Sequence, residues 1–557
     1  MQMRDMCGSL NPSRIALPLQ RAFLINKLQS VRSFSSASGN TPAEQLVDWV
    51  ERNGSTASGV SVHQWGGADG GSGFGLQAAK TCPSGTTLIT LPSRLHLTYG
   101  NDTTDPRLLS LIAKVPAELW GAKLALQLLA HRIHSGDEQK HKVDNYAPYI
   151  AALPLGFPGL PMFFPPNAIA ALEYPPVTEQ VKRRCRWLLS FATEILAPIR
   201  GDPLKDPFNG VEIDANALGW ALAAVTSRAF RTKGPDQPAA MLPLIDMANH
   251  SFDPNAKITG VASSSGGGSG ALQMVSIKEI QAGDPILLSY GDLVNDFLLL
   301  DYGFIVPDNP YDTVQLRFDR SLIEAAKAVA NVGSTTSVSD IDIDDEMLAS
   351  SPLSPALPAW QSSALESLGL AGPGANTEVS IIQLARTKVR APVDARLLAG
   401  VRILCAANAS ELENARIKSN GCGSRGGLDN MKASIEAFGA WERPLSLRNE
   451  VATLKTLSGV VLIALSQFST TEDDDMNLLR NSRDDAPLSA DMQLAVRFRL
   501  EKKRLLSAAL EALAARLKTI SEEGAGAGSR GGAASGGSSE KNKREAPKAS
   551  SSKGFGR

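Results

Sequence analysis

Strand-forming runs in this chain come in two islands, and a long stretch of helical periodicity holds them apart. The first island contains "GVSVHQW" (59–65) and "TTLITLP" (86–92); the second contains "AKITGV" (256–261), "ALQMVSI" (271–277) and "DPILLSY" (284–290). From Asp105 to about Asp214 the apolar positions recur every three or four residues: Leu108, Leu109, Ile112 and Val115, then Leu124, Leu128 and Leu129. That spacing describes one face of a helix. Pro-rich breaks such as "LPLGFPGLPMFFPPN" punctuate the block. From about Pro310 the chain is helical again, most clearly in "DARLLAGVRILCAAN" and "MQLAVRFRLEKKRLLSAALEALAARLKTI". Strands in separate blocks, with helices between and after them, make an α+β chain.

The folded part begins at "TPAEQLVDWVERNG", where Thr41 N-caps, Pro42 takes the first helical position and Glu44 completes a capping box. Leu46, Val47, Trp49 and Val50 supply the apolar face, and Gly54 ends the helix. "STTEDDDMNLL" is another helix start, with Thr470 or Thr471 as cap and four acids at the positive end of the helix dipole. "ASSSGGGSG" (262–270) is a flexible hairpin insertion. Residues 1–40 carry Arg4, Arg14, Arg21, Lys27 and Arg32 against one acid, Asp5, and 15–28 can form a basic amphipathic helix. That is the composition of an organellar transit peptide, chloroplast or mitochondrial. The tail from 523 to 557 is too poor in apolar residues to fold.

Composition excludes several functions. A net charge of -1 gives no electrostatic case for nucleic acid as a partner. The five cysteines are scattered, so there is neither zinc-ligand spacing nor a disulfide framework, and no metal is expected. No apolar run approaches the roughly 20 residues that span a bilayer, so no membrane is expected either. Gly73-Phe74-Gly75-Leu76-Gln77-Ala78 fits the G-x-G-x-x-A dinucleotide fingerprint, but no buried strand precedes it, and Pro83 and Gly85 stop any helix after it. Its glycines instead suit close backbone approach to another ligand.

Two further motifs follow that glycine loop: "NHSFDPNA" (249–256), and "SYGDLVNDFLLLDYGF" (289–304), in which Asn295 and Asp296 start a short helix between Tyr290 and Tyr302. The three motifs, in this order, resemble the SET-domain protein methyltransferases, and the helical segments match the branch typified by the plant Rubisco large-subunit lysine methyltransferase (LSMT). The resemblance spans about Thr41 to Ile520. It implies a β-rich SET core of small sheets with a pseudoknot-like crossing (41–104 and 216–306), split by a helical insert (105–215). An all-helical substrate-binding domain (310–522) follows, which binds a protein substrate, and the chain is expected to be a monomer. The resemblance also implies S-adenosylmethionine (SAM) as cofactor. Residue by residue, it carries cofactor contacts onto Ser72, Gly73, Phe74, Asn249, His250 and Tyr302. Tyr290 becomes the catalytic residue that orients the amine, and Arg228, Phe230 and Asp246 become substrate contacts. Some relatives have Glu at the place of Ser72, and some have a second Arg at the place of Thr232. One relative that methylates histidine has Asn where Phe230 stands here. The apolar Phe230 therefore implies a lysine target. Histidine methylation and a non-catalytic scaffold are the alternatives.

Overall fold

The computed structural model describes residues 41–66, 72–100, 104–134, 146–231, 239–261, 270–332, 356–382, 391–419, 427–481 and 487–530. The expected transit segment, all but Gly270 of the hairpin insertion, and the chain beyond Arg530 lie outside them. The first helix, Pro42–Arg52, is capped as its sequence suggests. The Thr41 hydroxyl accepts from the Glu44 N–H at 3.3 Å, the Glu44 carboxylate accepts from the Thr41 N–H at 2.7 Å, and Leu46 and Val50 are buried.

The strands are β1 (Thr56–Ala57), β2 (Val60–Gly66), β3 (Ser72–Ala78), β4 (Thr87–Leu91), β5 (Ala229–Phe230), β6 (Ala240–Met241), β7 (Asn249–His250), β8 (Ala256–Gly260), β9 (Leu272–Ser276), β10 (Pro285–Leu288), β11 (Thr313–Arg317) and β12 (Glu378–Ile382). Each four-stranded sheet draws on both islands: one runs β1-β4-β9-β8 and the other β2-β3-β10-β7. The glycine-rich segment is therefore not a loop. As β3 it pairs antiparallel with β2 along its whole length, Trp65 opposite Gly73 and His63 opposite Gly75. β10 pairs antiparallel with β3 on one side and parallel with β7 on the other, Leu287 opposite Asn249 and Leu288 opposite His250. A parallel pair needs a long crossover, and the chain from β7 to β10 supplies it through β8 and β9.

The helical insert does not form a unit of its own. Helices Trp120–His134 and Ala215–Thr226 pack closely, because a Cβ on Gly121 would meet Leu222 and Thr226 at 3.3 Å. Both belong to the core beneath the two sheets. Phe164, Ala168, Leu172, Tyr174, Val177 and Val181 instead pack into a second core, shared with the C-terminal lobe and with Leu299 and Leu300. Among its described residues that lobe is helical with one exception to the all-helical expectation, the antiparallel ribbon β11–β12. "EVSII" alternates in burial along its strand, and "TVQLR" buries Val314 alone, which suits a half-buried ribbon. Helix Glu472–Asn481 is capped by Thr471, whose hydroxyl accepts from the Asp474 N–H at 3.1 Å. The last helix, Ala490–Arg530, extends past the expected boundary at 522.

One helix corrects the reading that no apolar run is long enough to cross a membrane. Leu447–Ser466 has 20 residues and passes by length and composition. It lies inside the second core: Leu454, Leu457, Val460 and Val461 are fully buried, and a Cβ on Gly459 would lie 2.1 Å from the Ala326 carbonyl oxygen.

Buried charges tie the lobe together and to the SET core. Arg402 meets Glu450 at 2.8 Å with both side chains sealed from solvent. Lys502, on the last helix and fully buried, lies 2.5 Å from Asp296 and 2.8 Å from Asp312. Burial works against the charged lysine, but the two carboxylates outweigh it and hold its pKa above the ordinary ammonium value. Lys502→Met would leave both carboxylates without a counter-charge, at an expected cost of about 3–5 kcal/mol in stability. Lys182→Ala breaks the exposed pair with Glu179 and should change stability by under about 1 kcal/mol. Urea unfolding of the two variants checks this, and equal shifts would contradict it.

Candidate active site

The site is assembled where β7, β10 and β3 meet. Parallel pairing with β10 sets Asn249 and His250 beside Leu287 and Leu288, and the chain then continues through Ser289 to Tyr290. The His250 ring faces that continuation: its Nδ1 accepts from the Tyr290 N–H at 3.1 Å. Nε2 is then the proton-bearing nitrogen of the neutral ring. It is buried with no partner, and burial lowers the pKa of the ring.

β3 supplies the second wall. A Cβ on Gly75 would lie 2.5 Å from the Asn249 side-chain nitrogen and 2.8 Å from the Trp65 indole nitrogen, so only glycine fits there. Gly73 has nothing within 4 Å of its would-be Cβ. The two glycines thus differ in purpose: Gly75 admits protein side chains, and Gly73 faces open space. Phe74 is half exposed. Ser72 pairs through its backbone with Gly66, and its side chain lies outside the described residues.

Four aromatic rings and His250 make a continuous cluster. Tyr290 and Tyr302 lie 4.8 Å apart at 24°, Phe230 meets Tyr290 edge-on at 6.5 Å, His250 is 5.1 Å from Tyr290, and Phe304 is 6.2 Å from Tyr302. The Tyr290 hydroxyl donates to the Ala248 carbonyl at 2.8 Å. Burial raises its pKa well above the ordinary phenol value and pushes Tyr302 up to about 12. Both hydroxyls stay protonated at neutral pH. Tyr290 therefore offers a neutral oxygen whose proton is already committed and whose lone pairs remain available. Gly303, left-handed at φ 78°, turns the chain directly after Tyr302.

Arg228, Phe230, Tyr290 and Tyr302 line one cavity of about 630 Å³. Asp246 sits behind it: Arg228 Nη1 donates to the Asp246 carbonyl at 3.0 Å, and the Tyr149 hydroxyl donates to Asp246 Oδ2. Asp246 Oδ1 and Arg228 Nε are buried without partners. Burial pushes the Asp246 carboxyl up to about 6, against the opposing pull of Arg228 and of the Tyr149 hydrogen bond. The fully buried Leu244, just before this turn, has φ 72°, a costly backbone state for a branched residue.

Sequence reasoning passed over Tyr149, Phe304 and Gly75. Phe304 had a signal in its position right after Tyr302-Gly303, and Gly75 had one in the G-x-G pair. Tyr149 had none, because only the fold brings the insert helix Ala147–Ala152 to Asp246.

A SET-domain family model matches residues 73–291, and a Rubisco LSMT substrate-binding model matches 352–506. The chain is a SET-domain protein of the LSMT-like branch. Among curated relatives it is similar to the actin-histidine N-methyltransferase of Canis lupus familiaris, 24% identical over 84% of this chain and 68% of that protein. It is also similar to that of Gallus gallus, 23% identical over 85% and 68%. Among solved structures, the SET domain of LSMT bound to lysine and AdoHcy matches with a TM-score of 0.54 at 16% identity, over 86% of this chain and 92% of that one. Rubisco LSMT bound to sinefungin and monomethyllysine matches at 0.55 and 15%, over 87% and 94%. These solved structures share the fold of this chain. Unpartnered His250 Nε2 and Trp65 Nε1, the Asn249 amide and the open face at Gly73 give this SET core donors and room for a nucleoside-bearing cofactor.

The Asp246 environment yields a pH prediction. Its folded pKa, about 6, lies above the unfolded value, so its contribution to stability is full below about pH 4 and is lost as pH rises through about 6. Asp246→Asn keeps an acceptor for Tyr149 and removes the titration. Between pH 4 and 6.5 the wild type should lose about 1–3 kcal/mol relative to this variant. Parallel melting-temperature profiles across that range would refute it.

Proposed function

We propose that this protein is a SAM-dependent protein-lysine N-methyltransferase acting on an organellar protein. The observation that carries the lysine reading is the wall of the cavity, where Phe230 stands edge-on to Tyr290 and Tyr290 stacks on Tyr302. An imidazole substrate needs a polar partner to fix the tautomer that exposes its nucleophilic nitrogen. A lysine needs the reverse, an apolar sleeve for its methylene stem and a neutral amine at the end. A free lysine has a pKa of about 10.4, and a low-dielectric sleeve favours its uncharged form.

SAM, when bound, supplies an electrophilic methyl group on a sulfonium, so the chain's own task is to position and to exclude water. Tyr290 holds its hydroxyl proton on Ala248 O and keeps lone pairs for an amine N–H. His250 fixes the backbone of Tyr290 through Nδ1, which makes it a positioning residue as well as a cofactor contact. Asn249 and Gly73 are the other assigned cofactor contacts, with Ser72, Phe74 and Tyr302. Arg228 is assigned to the substrate; Asp246, expected to touch the substrate as well, is buried behind the cavity and acts through Arg228, which donates to its carbonyl.

A histidine target is the second reading, favoured by the similarity to actin-histidine N-methyltransferases. Methyl transfer from tritiated SAM to peptides bearing only lysine or only histidine separates the two. Label on lysine peptides is expected, and label confined to histidine peptides would sink the lysine reading. Tyr290→Phe should lower kcat by about 10- to 100-fold, the cost of one buried hydrogen bond, while calorimetry still detects SAM binding. A folded wild-type protein that gives no heat with SAM would point to a scaffold instead. The organellar assignment rests on the basic composition of residues 1–40; diffuse fluorescence from a reporter fused to that segment would overturn it.

A further inference from the structure

The cavity beside Tyr290 is lined by three cationic side chains, Arg228, Arg231 and Lys257, and by no acidic one among the described residues. The nearby acids are engaged elsewhere. Asp246 lies behind Arg228 and holds the Tyr149 hydroxyl, Asp253 pairs with Lys278, and Asp301 pairs with Arg184. Arg231 is exposed, with its guanidinium 4.9 Å from the centre of the Trp120 ring. Lys257 is exposed on β8, and no ion pair of it occurs among the described residues.

β8 is the edge of its four-stranded sheet. Its ladder with β9 runs from Ile277 N donating to Asn255 O at one end to Val261 N donating to Ala271 O at the other. Antiparallel bonds alternate, so Lys257 and Thr259 direct their backbone groups to β9. Ile258 and Gly260 direct theirs away from it, and both residues line the cavity. A row of such backbone groups on an edge strand is a template for an extended peptide.

A cationic cavity has two effects on an incoming lysine. It repels the ammonium and so favours the neutral amine needed for transfer. It also weakens binding of any segment whose only charge is that lysine. We propose that the substrate segment carries an acidic residue close in sequence to its target lysine, lies extended along β8, and is read by Lys257 at the rim. This rests on the lysine reading above and adds the charge class of the substrate.

The test uses the full chain and labelled lysine peptides that differ only in having Asp, Asn or Arg beside the lysine. Binding is followed by fluorescence anisotropy and methyl transfer by tritiated SAM. The Asp peptide should bind roughly two- to fivefold more tightly than the Asn peptide, with the gap narrowing as salt is raised. Lys257→Glu should reverse the order in favour of the Arg peptide while SAM binding, read by calorimetry, is unchanged. Equal binding of the three peptides, or the same order in wild type and Lys257→Glu, overturns the inference. Preferential binding of the Asp peptide without methyl transfer leaves the charge readout standing and sinks the lysine reading instead.

Discussion

Lys502 is the side chain through which the two halves of the molecule hold one another. It reaches from the last long helix into a sealed space and meets Asp296 and Asp312 together, and its ammonium also donates to the Thr313 carbonyl at 2.8 Å. Asp312 in turn accepts from the Asn295 N–H at 3.0 Å, and Asn295 bonds both backbone groups of Val306. Asn295 and Asp296 open the short helical turn that ends at Tyr302. The substrate-binding lobe is thereby built into the mounting of a tyrosine in the cavity wall. Desolvating three charges is costly, and the hydrogen bonds to Thr313 O and from Asn295 N–H offset part of that cost by satisfying the ammonium and Asp312.

The same turn is also gripped by the insert. Arg184 pairs with Asp301 at 2.6 Å and donates to the Leu300 carbonyl, while Leu299 and Leu300 are buried in the second core. That explains why the insert divides its apolar residues between two cores. Its early and late helices complete the floor under the sheets, and its middle helices bridge to the lobe. A segment that reads as a simple interruption of the strands serves as the joint between sheet and lobe.

Period and punctuation carried most of the legible fold. The capping box at Thr41, the Thr471 cap and the strand islands were visible because each is a local signal. Tyr290, Tyr302, Phe230 and Arg228 were legible as one site only through the order of three motifs, and the structure brings them around one cavity. What sequence could not supply was long-range. Tyr149 reaches Asp246 across 97 residues, and no periodicity marks that pairing. The glycine segment read as a loop because Gly and Ser disfavour strands; pairing with β2 and β10 overrode that preference. The β11–β12 ribbon is not marked in the sequence because each strand is short and its partner lies beyond two helices.

Gly159 and Gly303 meet back to back: a methyl on Gly159 would sit 2.2 Å from the Gly303 carbonyl oxygen, and one on Gly303 would sit 3.0 Å from the Gly159 backbone. Mechanically, this contact is stiff, because backbone rests on backbone with no side chain between to yield. The tyrosine side of the cavity therefore has little compliance, whereas the β8 side is a sheet margin held by β9 along its length and by β10 only at Asn255 among the described residues. A molecule that overfills the cavity would therefore be accommodated on the β8 side rather than beside Tyr302.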